Sequence, residues 1–305
     1  MRTVEEIIEQ IVGETQKMLL GKERQIRLAL SAFLSGSHVL IEDIPGVGKT
    51  TLAKTLAHVL GLEYSRVQFT SDLLPSDIIG VNFYNTKEAS FEFKKGPAFT
   101  QFLLADEINR ASSKTQSALL EAMEERQISV DGVRYELPKH FFVIATKNPT
   151  EEIGTYELPS SQLDRFSITF SLGYPSYEAE KSILTSKKVI SIESLKHLSK
   201  DEILYLQEKF LSIHVEDSII EIIQEILSFT RESGLFKNGL SPRAALSLLD
   251  MSKAWSLVSG RDFVIPSDVL EVLPHITYHR LESVGVSKTP QEMIDAILEK
   301  IHIDT

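Results

Sequence analysis

The 305-residue chain has no cysteine. That single absence excludes disulfides, thiolate metal sites, iron–sulfur clusters and thiol nucleophiles together. Long hydrophobic runs are also missing: no segment approaches the roughly 20 apolar residues that cross a bilayer. The opening stretch, Met1 to Gln10, is acidic and amphipathic. It lacks the basic start and continuous apolar core of a signal peptide, so a cytoplasmic protein is expected. Positive charge is in deficit, with 32 Lys and Arg against 43 Asp and Glu and a formal net charge of −11. Counterion release needs clustered cations, so this balance argues against a general binder of nucleic acid or anionic membrane. A local basic groove remains compatible with it. The rest of the composition, 42% apolar and 25% charged, is that of a soluble globular protein, and the length suggests about two domains.

The first half alternates helical and strand patterns. Thr3 and Glu6 form a capping box ahead of Val4, Ile7, Ile8, Ile11 and Val12 at helical spacing. A second helix is expected from about 22 to 35. Short apolar runs at 38–41, 64–69, 102–105, 141–145 and 168–172 read as buried strands, with helices at 49–60 and 113–126 between them. Five such strands with intervening helices predict a mostly parallel sheet covered on both faces. Two hairpins interrupt the series, one with its tip at 85–90 and one turning on Asp131-Gly132, a type I′ signal. After Gly173-Tyr174-Pro175 the pattern becomes almost wholly helical. The expected division is therefore an α/β domain over 1–174 and a helical domain over 175–305.

The polar residues that carry chemistry fall at strand ends. Pro45-Gly46-Val47-Gly48-Lys49-Thr50-Thr51 joins the first strand to a helix. This is the arrangement of a phosphate loop, in which glycines let backbone N–H groups curl around phosphate oxygens. Lys49 then reaches the β- and γ-phosphates of a nucleotide and Thr50 ligates Mg²⁺. Asp43 stands where the general pattern has its first glycine. The apolar run 102–105 ends in Asp106 and Glu107, suited to holding Mg²⁺ and to activating a water. Asn148 ends another apolar strand, where it could reach a γ-phosphate or attacking water; considered alone, the reading as a turn residue before Pro149 is favoured. Arg165, in Leu163-Asp164-Arg165-Phe166, suits an arginine finger or a surface ion pair. Ser241 and Pro242 open a helix and put Arg243 at its positive end, a place that favours a facing phosphate.

In this order the residues resemble an AAA+ ATPase, and several stretches narrow the likeness to the MoxR family. They are Val67-Gln68-Phe69-Thr70 with Asp72-Leu73-Leu74-Pro75-Ser76-Asp77, then Gly96-Pro97-Ala98-Phe99, Ala105-Asp106-Glu107-Ile108-Asn109-Arg110, Glu121-Ala122-Met123-Glu124-Glu125-Arg126, and Leu163-Asp164-Arg165-Phe166. Glu-Asp-x-Pro-Gly at the phosphate loop is common in that family; Lys147 stands where Gln is more frequent. The resemblance implies a five-stranded parallel sheet with the phosphate-loop strand central, and a smaller all-α lid. It implies ATP and Mg²⁺, a homo-oligomeric, hexameric ring, and chaperone-like maturation of a client protein complex, including metal-cofactor insertion. Von Willebrand factor A proteins are often partners. It casts Lys49 and Thr50 as ligands of phosphate and Mg²⁺, Asp106 as Mg²⁺ support, and Glu107 as base. Asn148 is then the first sensor, Arg165 the finger acting in trans, and Arg243 the second sensor. Arg110 and Arg126 are further candidates for an inter-subunit contact, and Gly21-Lys22 begins the adenine-side loop. The hairpins face a pore or partner.

Two readings compete: a DNA-acting or chelatase-like motor subunit, and a nucleotide-gated scaffold without turnover. Lys87, Lys94 and Lys95 on the first hairpin are offset by Glu88 and Glu92, so nucleic acid is disfavoured. His275 and His279 are four apart but lack a third ligand, so lid packing is expected for them rather than metal. Core packing is expected for Trp255. The client is not encoded in any recognisable ligand chemistry.

Overall fold

A computed structural model of the chain describes residues 2–149, 154–185, 190–285 and 289–300. Two amphipathic helices, α1 (Val4–Gln16) and α2 (Glu23–Leu34), precede β1 (Val39–Glu42). The Thr3 hydroxyl accepts from the Glu6 amide at 3.2 Å, and the Glu6 carboxylate accepts from the Thr3 amide at 2.8 Å, closing the expected capping box. Then come α3 (Lys49–Val59), β2 (Tyr64–Gln68) and the short α4 (Pro75–Ile79). A hairpin of β3 (Gly80–Asn85) and β4 (Ser90–Lys95) leads to β5 (Phe102–Asp106) and α5 (Ser113–Glu125). A second hairpin, β6 (Gln127–Val130) and β7 (Val133–Glu136), precedes β8 (Phe142–Lys147), α6 (Ser160–Leu163) and β9 (Ile168–Phe170). Its turn has positive φ at both Asp131 (50°) and Gly132 (81°), as type I′ requires. Among the described residues six α-helices follow: α7 (Tyr177–Thr185), α8 (Lys200–Leu211), α9 (Asp217–Glu232), α10 (Pro242–Val258), α11 (Pro266–Thr277) and α12 (Pro290–Leu298).

The main sheet has the order β2-β5-β8-β1-β9, and every pairing is parallel. The phosphate-loop strand β1 thus lies between the Asn148 strand and the edge strand, as expected. Two apolar clusters sandwich the sheet, and strand alternation assigns side chains to them. Val39, Ile41, Phe102, Leu104, Phe142 and Ile144 join the cluster that includes α1, α2 and α3. Leu40, Leu103, Ala105, Val143 and Ala145 join the one that includes α5. The same period of two carries Asp106 and Thr146 onto the α3 side, where the phosphate loop begins.

Helices α8 to α12 bury their apolar faces in the first of these clusters, with α10 packed on α2. Trp255 packs partly buried against it. Among the described residues no helix is long and apolar enough to cross a membrane, and no group of three His, Cys, Asp or Glu stands ready for a metal.

His275 and His279 bind backbone instead, their ring nitrogens lying 3.3 Å from the Thr169 carbonyl and 3.0 Å from the Phe166 carbonyl. His38 is buried and accepts from the Val143 amide at 3.1 Å. Burial, aided by nearby arginine charge, holds all three neutral: His38 is pushed down to about 3, His275 to about 4, and His279 well below its ordinary range. The unfolded chain protonates them near 6.5. Their contribution is therefore complete above that pH and is lost as pH falls below it. Urea unfolding at pH 6 is expected to show about 2 kcal/mol less stability than at pH 8 for the three together; an unchanged midpoint contradicts their neutral burial.

Candidate functional site

Between β1 and α3 the chain makes a loop that only glycine accommodates at two points. Gly46 has φ +85° and Gly48 φ +103°, and a Cβ on Gly48 would come within 2.7 Å of Leu19. Gly48 is the N-cap of α3, and no side chain caps the helix. The positive end of the α3 dipole thus suits an anion. The Lys49 ammonium folds over the loop and donates to the carbonyls of Asp43 and Ile44. The Val47 side chain is buried in the core beneath the loop.

Asp43 explains its own departure from the general pattern. Its carboxylate is buried and accepts from the amides of Ile44 (2.8 Å), Leu172 (2.6 Å) and Gly173 (2.7 Å). It fastens the start of the phosphate loop to the segment where the sheet gives way to α7. Asp43→Ala leaves those amides without an acceptor, a loss of about 2–3 kcal/mol. Urea unfolding of the variant measures it, and a change below half a kcal/mol, on the order of an ordinary surface substitution, refutes the role.

A cleft of about 290 Å³ opens at this end of the sheet. Pro45, Gly46, Gly48, Lys49, Thr50 and Thr51 line one side; Asp106, Glu107 and Asn148 line the other. The parallel register accounts for the meeting. Asp43 donates its amide to the Lys147 carbonyl at 3.1 Å, so Asn148 lies beside the start of the loop. Lys147 pairs with Glu42 on the adjacent strand at 3.2 Å.

Both carboxylates at the end of β5 are held. Asp106 accepts from the Thr146 hydroxyl at 2.6 Å and pairs with Arg66 of β2 at 2.6 Å. Glu107 adopts a left-handed backbone, φ 57° and ψ 51°, unusual for a non-glycine residue and typical of strained functional positions. Its amide donates to the same Thr146 hydroxyl at 2.8 Å. Its carboxylate accepts from Gln68 at 2.8 Å and pairs with Arg110 at 2.9 Å. A hydroxyl and a carboxylate, Thr50 and Asp106, face one polar cleft with room for water. That oxygen set suits Mg²⁺.

The other arginines lie elsewhere. Arg165 pairs with Glu124 of α5 at 2.9 Å, and Arg243 pairs with the other oxygen of Glu124. Neither lines the cleft of its own chain. Arg165 and Glu124 border a separate polar depression of about 590 Å³. Arg126, one candidate for an inter-subunit contact, has another role. It caps α5 in a left-handed conformation and donates to the carbonyls of Phe141 and Gly36. Lys22 is likewise committed, its buried ammonium donating to the carbonyls of Leu172 (2.6 Å) and Tyr174 (2.7 Å). Gly21, φ +70°, packs near Ala179 and Ser176. These two residues brace the segment leading to α7 and do not line the cleft.

Residues 38–168 match the model of the ATPase family associated with various cellular activities (AAA), and residues 228–301 match the AAA lid domain. The crystal structure of a Cytophaga hutchinsonii protein superposes with a TM-score of 0.89 at 36% identity, over 99% of this chain and 96% of that one. Chaperone MoxR1 of Mycobacterium tuberculosis is 38% identical, over 96% of this chain and 81% of its own. Protein YeaC of Bacillus subtilis is 42% identical, over 95% of this chain and 91% of its own. The chain belongs to the MoxR family of AAA+ ATPases.

For this MoxR-family chain, the site residues that sequence reasoning missed are Arg66, Gln68, Thr146 and Glu124. Arg66 and Gln68 are polar residues near the end of strand β2, where Gln68 is the register partner of Asp106 and Arg66 lies two residues before it. Thr146 directly precedes the expected Asn148 segment. The usable signal was polarity at the carboxyl ends of strands, where open α/β sheets bind ligands.

Proposed function

We propose that this MoxR-family chain hydrolyses Mg²⁺-bound ATP in a homo-oligomeric, hexameric ring and uses the cycle to remodel or mature a client protein complex. The carrying observation is the convergence of Lys49, Thr50, Asp106, Glu107 and Asn148 on one cleft at the carboxyl end of a parallel sheet. The α/β part, 1–174, carries the chemistry and the helical part, 175–305, acts as its lid.

The amides of the phosphate loop and the start of α3 bind the phosphates, with Lys49 exchanging its loop carbonyls for phosphate oxygens. Thr50 and Asp106 hold Mg²⁺, which when bound neutralises and orients the phosphates. Glu107 takes the proton of the attacking water, and Asn148 orients that water or the γ-phosphate. Arg165 and Arg243 face away from their own cleft, which supports donation to a neighbour's γ-phosphate, the phosphate displacing Glu124 as their partner. The hairpin of β3 and β4 exposes Val81, Phe83, Tyr84 and Phe91, with charges balanced around them. That surface suits protein clients, in line with the chaperone name borne by the Mycobacterium relative. Metal-cofactor insertion and a von Willebrand factor A partner are the finer form of the same reading.

The test is ATP turnover against protein concentration. Specific activity is expected to rise as the ring assembles and to vanish with EDTA. Lys49→Ala is expected to weaken binding of a fluorescent ATP analogue by about 10²-fold, a loss of roughly 3 kcal/mol for removal of a charged contact. Binding unchanged in Lys49→Ala, or turnover indifferent to EDTA, refutes the assignment.

A further inference from the structure

Just beyond α11, the Arg280 side chain is almost wholly buried, with 5% of its surface exposed. All five of its N–H groups are bonded. Nε donates to the Asp164 carboxylate at 2.6 Å. One terminal nitrogen donates to the carbonyls of Ser167 (2.9 Å) and Ile276 (2.8 Å), the other to those of Asp164 (3.2 Å) and Phe166 (2.7 Å). The carbonyls on both sides of Arg165 are thus fixed by one rigid planar group. The second Asp164 oxygen accepts from the Ser241 hydroxyl at 3.0 Å, and that hydroxyl in turn caps α10 by accepting from the Ala244 amide at 3.0 Å. Arg243 sits in the first turn of that helix.

We propose that Arg280 is a positioning residue for the arginine pair: it fixes the backbone flanking Arg165 and, through Asp164 and Ser241, the helix start that carries Arg243. The two guanidiniums that meet on Glu124 are then set as one unit by a buried residue of the helical part. Movement of α11 relative to the sheet carries the finger with it, which couples the helical part of one chain to chemistry in the next. His279, bonded to the same Phe166 carbonyl, stays neutral, so its ring adds no cation to the Arg243 charge that Arg280 already feels.

The inference rests on the trans role proposed for Arg165, and one set of mixtures separates the two. Arg280→Gln is expected to lower kcat by about 10²-fold, the cost of a misplaced catalytic group. Its ATP affinity, read with a fluorescent analogue, is expected to stay within about twofold, since the cleft of the same chain is intact. Mixed with Glu107→Gln chains, which keep their arginines, Arg280→Gln chains are expected to regain turnover; mixed with Arg165→Ala chains they are expected to regain none. Arg280→Gln is expected to add no further loss in a chain that already carries both Arg165→Ala and Arg243→Ala. If Arg165→Ala is rescued by Glu107→Gln but Arg280→Gln is not, the positioning role is wrong and the trans reading stands. If neither is rescued, the trans reading fails and takes this inference with it. Should Arg280→Gln fail to fold, Asp164→Asn, which keeps the carbonyl contacts and weakens the central bond, is put through the same mixtures and judged by the same outcomes.

Discussion

Glu107→Gln is expected to lower ATP turnover about 10²- to 10⁴-fold while ATP binding is retained. The amide has the shape of the carboxylate, and its oxygen still accepts from Gln68 and Arg110, which reach Glu107 at 2.8 and 2.9 Å. The Thr146 hydroxyl continues to hold the Glu107 amide. The substitution therefore removes proton acceptance and little else. The phosphate loop and Lys49 lie across the cleft and are untouched, so affinity stays near that of the wild type. A variant that turns over normally rules out Glu107 as the base; one that no longer binds ATP rules out a purely catalytic role.

Arg165→Ala is expected to cost about 10³- to 10⁵-fold in turnover, the range of an arginine supplied to a transferring phosphoryl group. Binding in the same chain's cleft is expected to be unchanged, because Arg165 lies on the Glu124 face. Specific activity of this variant is expected to stay flat with protein concentration, where that of the wild type climbs. A small effect with preserved concentration dependence assigns the finger elsewhere. Arg110 is the next candidate, since it already touches Glu107. Arg126 is not, because its guanidinium bonds the Gly36 and Phe141 carbonyls.

The parts of this site that were legible in the sequence are local ones. The glycines and Lys49 declare the loop because a tight turn and a phosphate need those residue types in adjacent positions. Asp106 and Glu107 declare themselves by ending an unbroken apolar strand. The core strands were legible for the same reason, each being a short apolar run. The illegible parts are contacts across the sheet or between its edge and the helices. Arg66 and Thr146 bond Asp106 from 40 residues away on either side. Arg280 reaches Asp164 across 116 residues. Such pairs follow from register and packing, which no local pattern states. The same limit hides which cations already have backbone partners. Gly21-Lys22 reads as the start of an adenine-side loop and Arg126 as a candidate inter-subunit contact, while both cations bond backbone carbonyls of distant segments. Short α4 and α6 escaped notice because helices of five and four residues carry too little periodicity to read.

The most direct test of the shared site is a mixture of two disabled chains. Glu107→Gln lacks the base but offers an intact Arg165; Arg165→Ala lacks the finger but keeps an intact cleft. In equal, random mixtures roughly one interface in four joins the intact halves, ½ × ½, so the pair is expected to recover on the order of a quarter of wild-type turnover. A mixture as inactive as its separate components contradicts a site completed by the neighbouring subunit.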